Sequence, residues 1–253
     1  MNRESPKVLI VGYGIVGHNL ASELAVLEPY IYDKYKTEFN TKKDCKYKYA
    51  FICVDTPYID KNNVCDRSQV IAAVEENVAD IYVIKSAVLP GTASMLKLKF
   101  PDKHFVISPE YYGNTQHCNN FEFNFTILGG EKEDCCEIQQ LLQEVYDARH
   151  TFKIVSAETA ELAKYMENCW IYTKVAYCNQ FYDLAKQIGV DYEDLRECFI
   201  LDPRVNPSFT FVYKNHPYVQ SHCMDKDMPA IAETYDAELL KDIIKFNKKR
   251  IPN

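Results

Sequence analysis

The stretch KVLIVGYGIVG, residues 7–17, joins a continuous apolar run to three glycines spaced G-x-G-x-x-G. The apolar run predicts a buried parallel strand. HNLASELAVL, which follows, has helical spacing, and YIYD then ends at Asp33, about twenty residues beyond the first glycine. Strand, glycine loop, helix, strand and acid in this order form the dinucleotide fingerprint. Gly12 permits the tight turn, Gly14 lets a pyrophosphate approach the backbone, and Gly17 lets helix and strand pack closely. Ile15 and Val16 open the helix, whose N–H groups and partial positive charge favour phosphate. Asp33 is suited to accept from the adenosine ribose hydroxyls and to repel the extra phosphate of NADP, which favours NAD. Lys34 and Lys36 keep NADP from being excluded.

Outward from this unit the alternation continues. Apolar runs recur at YAFICV (49–54), IYVIKS (81–86), HFVIS (104–108), FTILGG (125–130) and FKIV (152–155), with helix-like segments at 68–79 and 131–147 among them. The pattern predicts an α/β fold, a doubly wound, mostly parallel Rossmann-like sheet. Ligands of such sheets bind beyond the carboxyl ends of the strands. Those ends are VDTP (54–57), KSAVLPGT (85–92) and SPEYYGN (108–114), which makes Val54, Thr56 and Ser86 expected cofactor contacts and places Glu110, Tyr111 and Tyr112 at the site.

Ser156 is a helix N-cap candidate and Gly189 a stop. The intervening helix of about 32 residues would be about 48 Å long, long enough to connect two lobes or to form a dimer interface. Lys164 and Asn168 share one face of it. A second helix begins around Asp191, prolines interrupt 201–211, and 227–248 has the pattern of one final helix with Pro229 in its first turn. The organisation expected is an NAD-binding domain over 1–155 and a small all-α central domain over 156–253 that carries Cys223.

The chain has 253 residues, a net charge of -7 and ten cysteines, none in a C-x-x-C pair. The acidic balance argues against nucleic acid as a partner. No apolar run approaches the ~20 residues of a membrane-spanning helix, and MNRESPKVLIVGYG leaves no room for a signal peptide, so a cytoplasmic protein with reduced thiols is expected. His216, His222, Cys223 and Asp225 lack a second Cys/His pair at zinc-ligand spacing, so no metal is expected.

With these segments in order, the chain resembles the UDP-glucose/GDP-mannose 6-dehydrogenase family. The matching motifs are GYGIVG, CVDTP, IKSAVLPGT, SPE, ELAKYMEN, DPR and CMDKD, the last similar to the family's C-x-P-K-D signature. The resemblance implies oxidation of a primary alcohol to a carboxylate, most simply UDP-glucose to UDP-glucuronate, by two hydride transfers to NAD through a thiohemiacetal and a thioester. It assigns Cys223 as nucleophile, gives Lys164 the oxyanion, and has Asn168 donate to that oxyanion or place the water. Asp227 and Glu110 handle protons and the hydrolytic water. Lys164 or Lys226, together with a helix N-terminus, depresses the thiol pKa. Lys226 also lies at the cofactor, and Arg204 joins Glu110, Tyr111, Tyr112, Lys164 and Asn168 as a substrate contact. It also implies a homodimer through the long helix.

The chain departs from the family pattern at five places. Ala87 replaces a threonine, Asn114 a second glutamate, Gln220 and Ser221 two glycines, and Asp225 the proline. The sequence ends at Asn253, so the resemblance implies a chain without the family's C-terminal nucleotide-sugar-binding domain. Two other readings stay open: a two-electron β-hydroxyacid-type dehydrogenase, and a non-catalytic NAD- or partner-binding relative.

Overall fold

The computed structural model describes residues 7–59, 64–113, 117 and 121–252. The chain divides into two compact units. The first takes Met1–Pro57, Cys65–Tyr112 and Phe123–Lys164; the second takes Tyr58–Val64, Gly113–Glu122 and Tyr165–Asn253.

Along the chain, β1 (Val8–Val11), α1 (Ile15–Glu23), β2 (Tyr30–Tyr32) and β3 (Lys46–Ile52) come first. After β4 (Tyr58–Ile59) and β5 (Val64–Cys65), a separate two-stranded sheet, come α2 (Ser68–Glu76), β6 (Val78–Ile84) and α3 (Thr92–Lys99). β7 (His104–Ile107), β8 (Phe125–Gly130), α4 (Lys132–Gln143) and β9 (Thr151–Val155) complete the main sheet. Its order is β2-β1-β3-β6-β7-β8-β9, and every pairing is parallel except β7 with β8. The doubly wound, mostly parallel sheet expected from the sequence is therefore present.

Alternate residues of each strand serve opposite faces, and both faces are covered. Val8, Ile10, Phe51 and Val83 pack with Leu20 of α1 and with Ile138 and Leu142 of α4. Leu9, Val11, Ile52 and Ile84 pack with Val70 and Val74 of α2 and Leu96 of α3. Two-sided burial is why these strands appear in the sequence as continuous apolar runs. β3 and β6 begin before their apolar runs, because their first residues alternate between exposed and buried.

Two helix ends differ from the sequence pattern, and one further helix is not marked by it. α2 stops at Glu76, where the buried Asn77 carboxamide donates to the Ala73 carbonyl at 2.8 Å and the chain turns into β6. α4 stops at Gln143 instead of reaching 147. Residues 92–99, which carry no clear helical pattern, form α3. Gly91 turns the chain at φ +90°, and Glu161 caps the helix by accepting from the N–H groups of Gly91 (2.7 Å) and Ala93 (2.8 Å). That cap comes from a residue 68 positions away from Ala93, so no local signal announces it.

α5 (Ala157–Ile188) is the long helix, 32 residues. Its ends are those the sequence marks: Ser156 Oγ accepts from the Thr159 N–H at 3.2 Å, and Gly189 sits at φ +81°. α6 (Tyr192–Phe199) starts on Asp191, whose carboxylate accepts from the Glu193 N–H at 2.7 Å. In the second unit Cys178, Ala185 and Tyr192 form a small core with Leu195 and Val212 around them.

The single final helix over 227–248 is not formed. α7 (Met224–Thr234) and α8 (Glu238–Lys248) replace it. Asp236 adopts φ +50°, and the Ala237 N–H donates to the Ala232 carbonyl at 2.9 Å, the αL stop that glycine usually supplies. Asp is among the few other residues that tolerate this conformation, so no Gly or Pro announces the break. Lys241 ties the corner by pairing with Asp236 (2.7 Å) and Glu233 (3.3 Å). Because α7 begins at Met224, Pro229 lies inside it and not in its first turn. Among the described residues no helix is long and apolar enough to cross a membrane.

Candidate active site

In the first unit, β1 delivers the glycine loop to the point where strand order reverses, with β2 on one side and β3 on the other. A Cβ on Gly12, which has φ +90°, would stand 2.5 Å from the Cys53 carbonyl oxygen and 3.2 Å from Val54. A Cβ on Gly17 would stand 1.9 Å from the Gly12 carbonyl oxygen, whereas one on Gly14 would meet nothing within 4 Å. Two glycines are thus fixed by the protein's own packing, and the third borders open space. Gly14 begins α1 with no side-chain cap and no acid in the first turn, leaving the N–H groups at Ile15 and Val16 to an outside acceptor. Ile15 is exposed and Val16 partly buried.

Asp33 closes this half-site. Its two oxygens accept from the N–H groups of Tyr13 (2.7 Å) and Tyr35 (2.8 Å), which fixes the carboxylate beside the loop. Lys36 donates to the Tyr13 carbonyl at 2.6 Å. Thr56 and Ser86 are buried, and each is committed to a neighbouring loop: Thr56 Oγ1 donates to the Ala87 carbonyl (2.7 Å), Ser86 Oγ to the Val54 carbonyl (2.6 Å). They tie the ends of β3 and β6 together.

Beyond β7, Glu110 pairs with the buried Lys85 at 2.9 Å, and its other oxygen accepts from the Tyr111 N–H at 2.9 Å. Lys85 lies in a quoted motif, but nothing in the sequence marks it as the partner of Glu110. Lys164 is buried, its ammonium 4.6 Å from the Tyr111 ring centroid. The Tyr112 hydroxyl donates to Glu23 at 2.5 Å, beside Tyr146 on the same carboxylate. Burial raises the Tyr112 pKa well above the usual phenol value, with Glu110 and Glu23 adding to the shift. Asn114 and Cys118 lie outside the described residues.

In the second unit, Cys223 is an exposed thiol at the N-cap of α7. Its carbonyl accepts from the Asp227 N–H at 3.0 Å, which puts the thiol residue and Asp227 one turn apart on one face. Asp227 is 1% exposed. One oxygen accepts from Asn168 Nδ2 at 2.7 Å and the other from Lys226 Nζ at 2.6 Å. Lys226 is thus held on the Asp227 carboxylate. Burial pushes the thiols of Cys53, Cys135 and Cys169 up to about 12, so these are inert core groups. Arg204 projects into solvent with its side chain 88% exposed and forks onto Asp202 at 3.0 and 2.5 Å. Among the described residues no three His, Cys, Asp or Glu side chains converge as a metal set.

Residues 158–249 match the UDP-glucose/GDP-mannose dehydrogenase family, central domain. The UDP-glucose 6-dehydrogenase of Rickettsia typhi is 30% identical over 222 residues, covering 81% of this chain and 50% of that protein. Over residues 158–249 the chain matches that central domain, and its similarity to the dehydrogenases extends over most of its length. The GDP-mannose 6-dehydrogenase of Pseudomonas syringae pv. tomato is 25% identical over 232 residues, 81% of this chain and 51% of the relative. In fold, the chain resembles a UDP-glucose dehydrogenase from Pyrobaculum islandicum with a TM-score of 0.76 at 19% identity, covering 96% of this chain and 68% of that one. It spans about half the length of the curated relatives it matches.

Proposed function

We propose that the chain carries the NAD-dependent oxidation of a nucleotide sugar, most simply UDP-glucose to UDP-glucuronate. The observation that supports this best is the convergence of Cys223, Asp227 and Asn168 at the start of α7. The glycine loop fits NAD: open space borders Gly14, the start of α1 lacks a side-chain cap, and Asp33 is held beside the loop. Gly12, Gly14, Gly17, Ile15, Val16 and Asp33 would hold the cofactor. NAD supplies the hydride acceptor, two molecules in succession.

The Cys223 thiolate adds to the carbon of the first-formed aldehyde as the carbonyl electron pair moves to oxygen. Lys164, one turn before Asn168 on α5, supplies a cation for that oxygen. Loss of a second hydride leaves a thioester on Cys223. Water adds to its carbonyl, and collapse releases the carboxylate and the thiolate. Asp227, held by Asn168 and Lys226, takes the proton of that water. Glu110, steadied by Lys85, is the second proton carrier. Tyr111 and Arg204 are assigned to substrate; Tyr112, bound to Glu23, steadies the loop.

The decisive test is stoichiometry with purified protein, NAD and a panel of UDP- and GDP-sugars. Two NADH per sugar and a uronate product support the proposal. One NADH with a trapped aldehyde or ketone moves the reading to a two-electron dehydrogenase. NAD binding without turnover of any sugar moves it to a non-catalytic relative.

Dimer formation belongs to the same proposal. Leu162, Met166, Trp170, Tyr177, Phe181 and Ile188 recur at helical spacing along α5 and are all exposed. Such a stripe is self-complementary when two copies of the helix cross. Light scattering should give twice the chain mass for the wild type and the single chain mass for Trp170→Glu. A monomeric wild type would sink this part.

A further inference from the structure

Cys223 lies at the end of an irregular segment that begins beyond α6, and the fold holds that segment at three successive points. Val219, 2% exposed, donates its N–H to Asn247 Oδ1 at 2.7 Å and accepts from Asn247 Nδ2 at 2.9 Å through its carbonyl. One carboxamide thus satisfies both polar groups of a buried residue, as a neighbouring strand would. Two residues beyond the end of α8, Arg250 Nε donates to the Pro217 carbonyl at 2.7 Å while its guanidinium pairs with Asp183 of α5. The last turn of α8 and a residue just beyond it therefore grip residues two apart on the irregular segment.

The third point is nearer the thiol. The Asp225 carboxylate accepts from the Ser221 N–H at 3.0 Å, and the Asp225 N–H donates to the Ser221 carbonyl at 3.0 Å. Both residues are departures from the family signature. A proline at 225 has no N–H and no carboxylate and could make neither bond. Asp225 is thus the departure that makes these bonds, because a glycine at 221 would offer the same N–H and carbonyl.

We propose that Asn247 and Asp225 are positioning residues for Cys223, locking the 217–223 segment so that the thiol stands at the N-cap of α7. The proposal rests on Cys223 being the nucleophile, but the lock itself does not. The chain reversal at Asp236 is what makes the lock possible. In one unbroken helix, residue 247 would lie about 30 Å along the axis from residue 227, out of reach of Val219. The geometry is selective. Asp at 247 cannot donate to the Val219 carbonyl, and Leu can do neither. Asn at 225 keeps both bonds to Ser221, through its side-chain oxygen and its own N–H, whereas Ala keeps only the backbone bond.

The test is the rate of Cys223 alkylation by iodoacetamide in the full chain, followed by mass spectrometry of the peptide containing residue 223. Thermal unfolding and NAD binding serve as folding controls. Asn247→Asp and Asp225→Ala should slow alkylation by about threefold or more, because a loosened segment no longer presents the thiol at the start of α7. Asp225→Asn should restore the wild-type rate. Asp225→Pro, although it returns the family residue, should behave like Asp225→Ala. With a turned-over sugar, the loosened variants should lose kcat at unchanged KM for NAD. Wild-type alkylation rates in folded Asn247→Asp and Asp225→Ala would overturn the proposal. Slowed alkylation in a chain that oxidises no sugar would uphold the lock and remove the dehydrogenase reading instead.

Discussion

In the first unit, one strand–turn–helix–strand stretch brings Gly12, Gly14, Gly17 and Asp33 together, and most of what it offers a ligand is backbone. In the second, Asn168 meets Asp227 across 59 positions and Asn247 meets Val219 across 28, and everything offered is side chain. The backbone site depends on what is absent, a Cβ at three places. The side-chain site depends on helices arriving at fixed angles. The first kind of site is written locally and fails by steric intrusion; the second is written over distance and fails when a partner is lost.

The sharpest way to break the comparison is Cys223→Ala. It should lower uronate formation from a sugar by about a thousandfold or more and leave NAD affinity unchanged, as two separately built sites require. Calorimetry and quantification of the uronate product check both. An equal loss of NAD affinity would mean the halves are not separable.

Next is Gly17→Ala. Its Cβ would fall 1.9 Å from a backbone oxygen that no rotamer can move, so a loss of about 3 kcal/mol or more in urea unfolding is expected. A stable Gly17→Ala protein would show that the loop is slack.

Glu161 tests the long-range class within the first unit. Burial raises its carboxyl from 4.5 to about 7 despite the backbone donors of Gly91 and Ala93. A carboxyl with a raised folded pKa stabilises the fold fully below its unfolded value, and that contribution is lost as pH rises through the folded one. Stability should therefore decline between pH 4.5 and 7 by on the order of 3 kcal/mol. Glu161→Gln should flatten that slope in denaturant titrations run at several pH values. A wild-type slope unchanged by the substitution would rule the assignment out.

The smallest effect sharpens the contrast most. Gly14→Ala meets no protein atom within 4 Å, so its melting temperature should stay at the wild-type value while NAD affinity falls about tenfold. A destabilised Gly14→Ala with normal affinity would mean the open space serves the fold and not a ligand.

How much of this was legible depended on distance along the chain. The strands of the main sheet appeared as apolar runs because burial on both faces removes polar residues from them. The ends of α5 were visible because Ser156 and Gly189 act on their own neighbours. α3 was hidden because its cap, Glu161, comes from another helix, and the α7–α8 corner was hidden because Asp236 takes a conformation normally left to glycine. Cys223, Asn168 and Asp227 could be named only through the motif resemblance. Lys85 and Asn247 could not be named at all, since neither stands in a local pattern that marks its partner.

The sequence by itself determined the doubly wound sheet, the glycine loop with its acid, and the long helix, because hydrophobic period, glycine spacing and capping act within a few residues. Only the tertiary structure decided which side chain answers each buried polar group. Asp227 takes Asn168 and Lys226, Glu110 takes Lys85, and Val219 takes Asn247. The physical reason is that a buried donor or acceptor must find a partner, and which one it finds depends on how the helices cross, which no local pattern records.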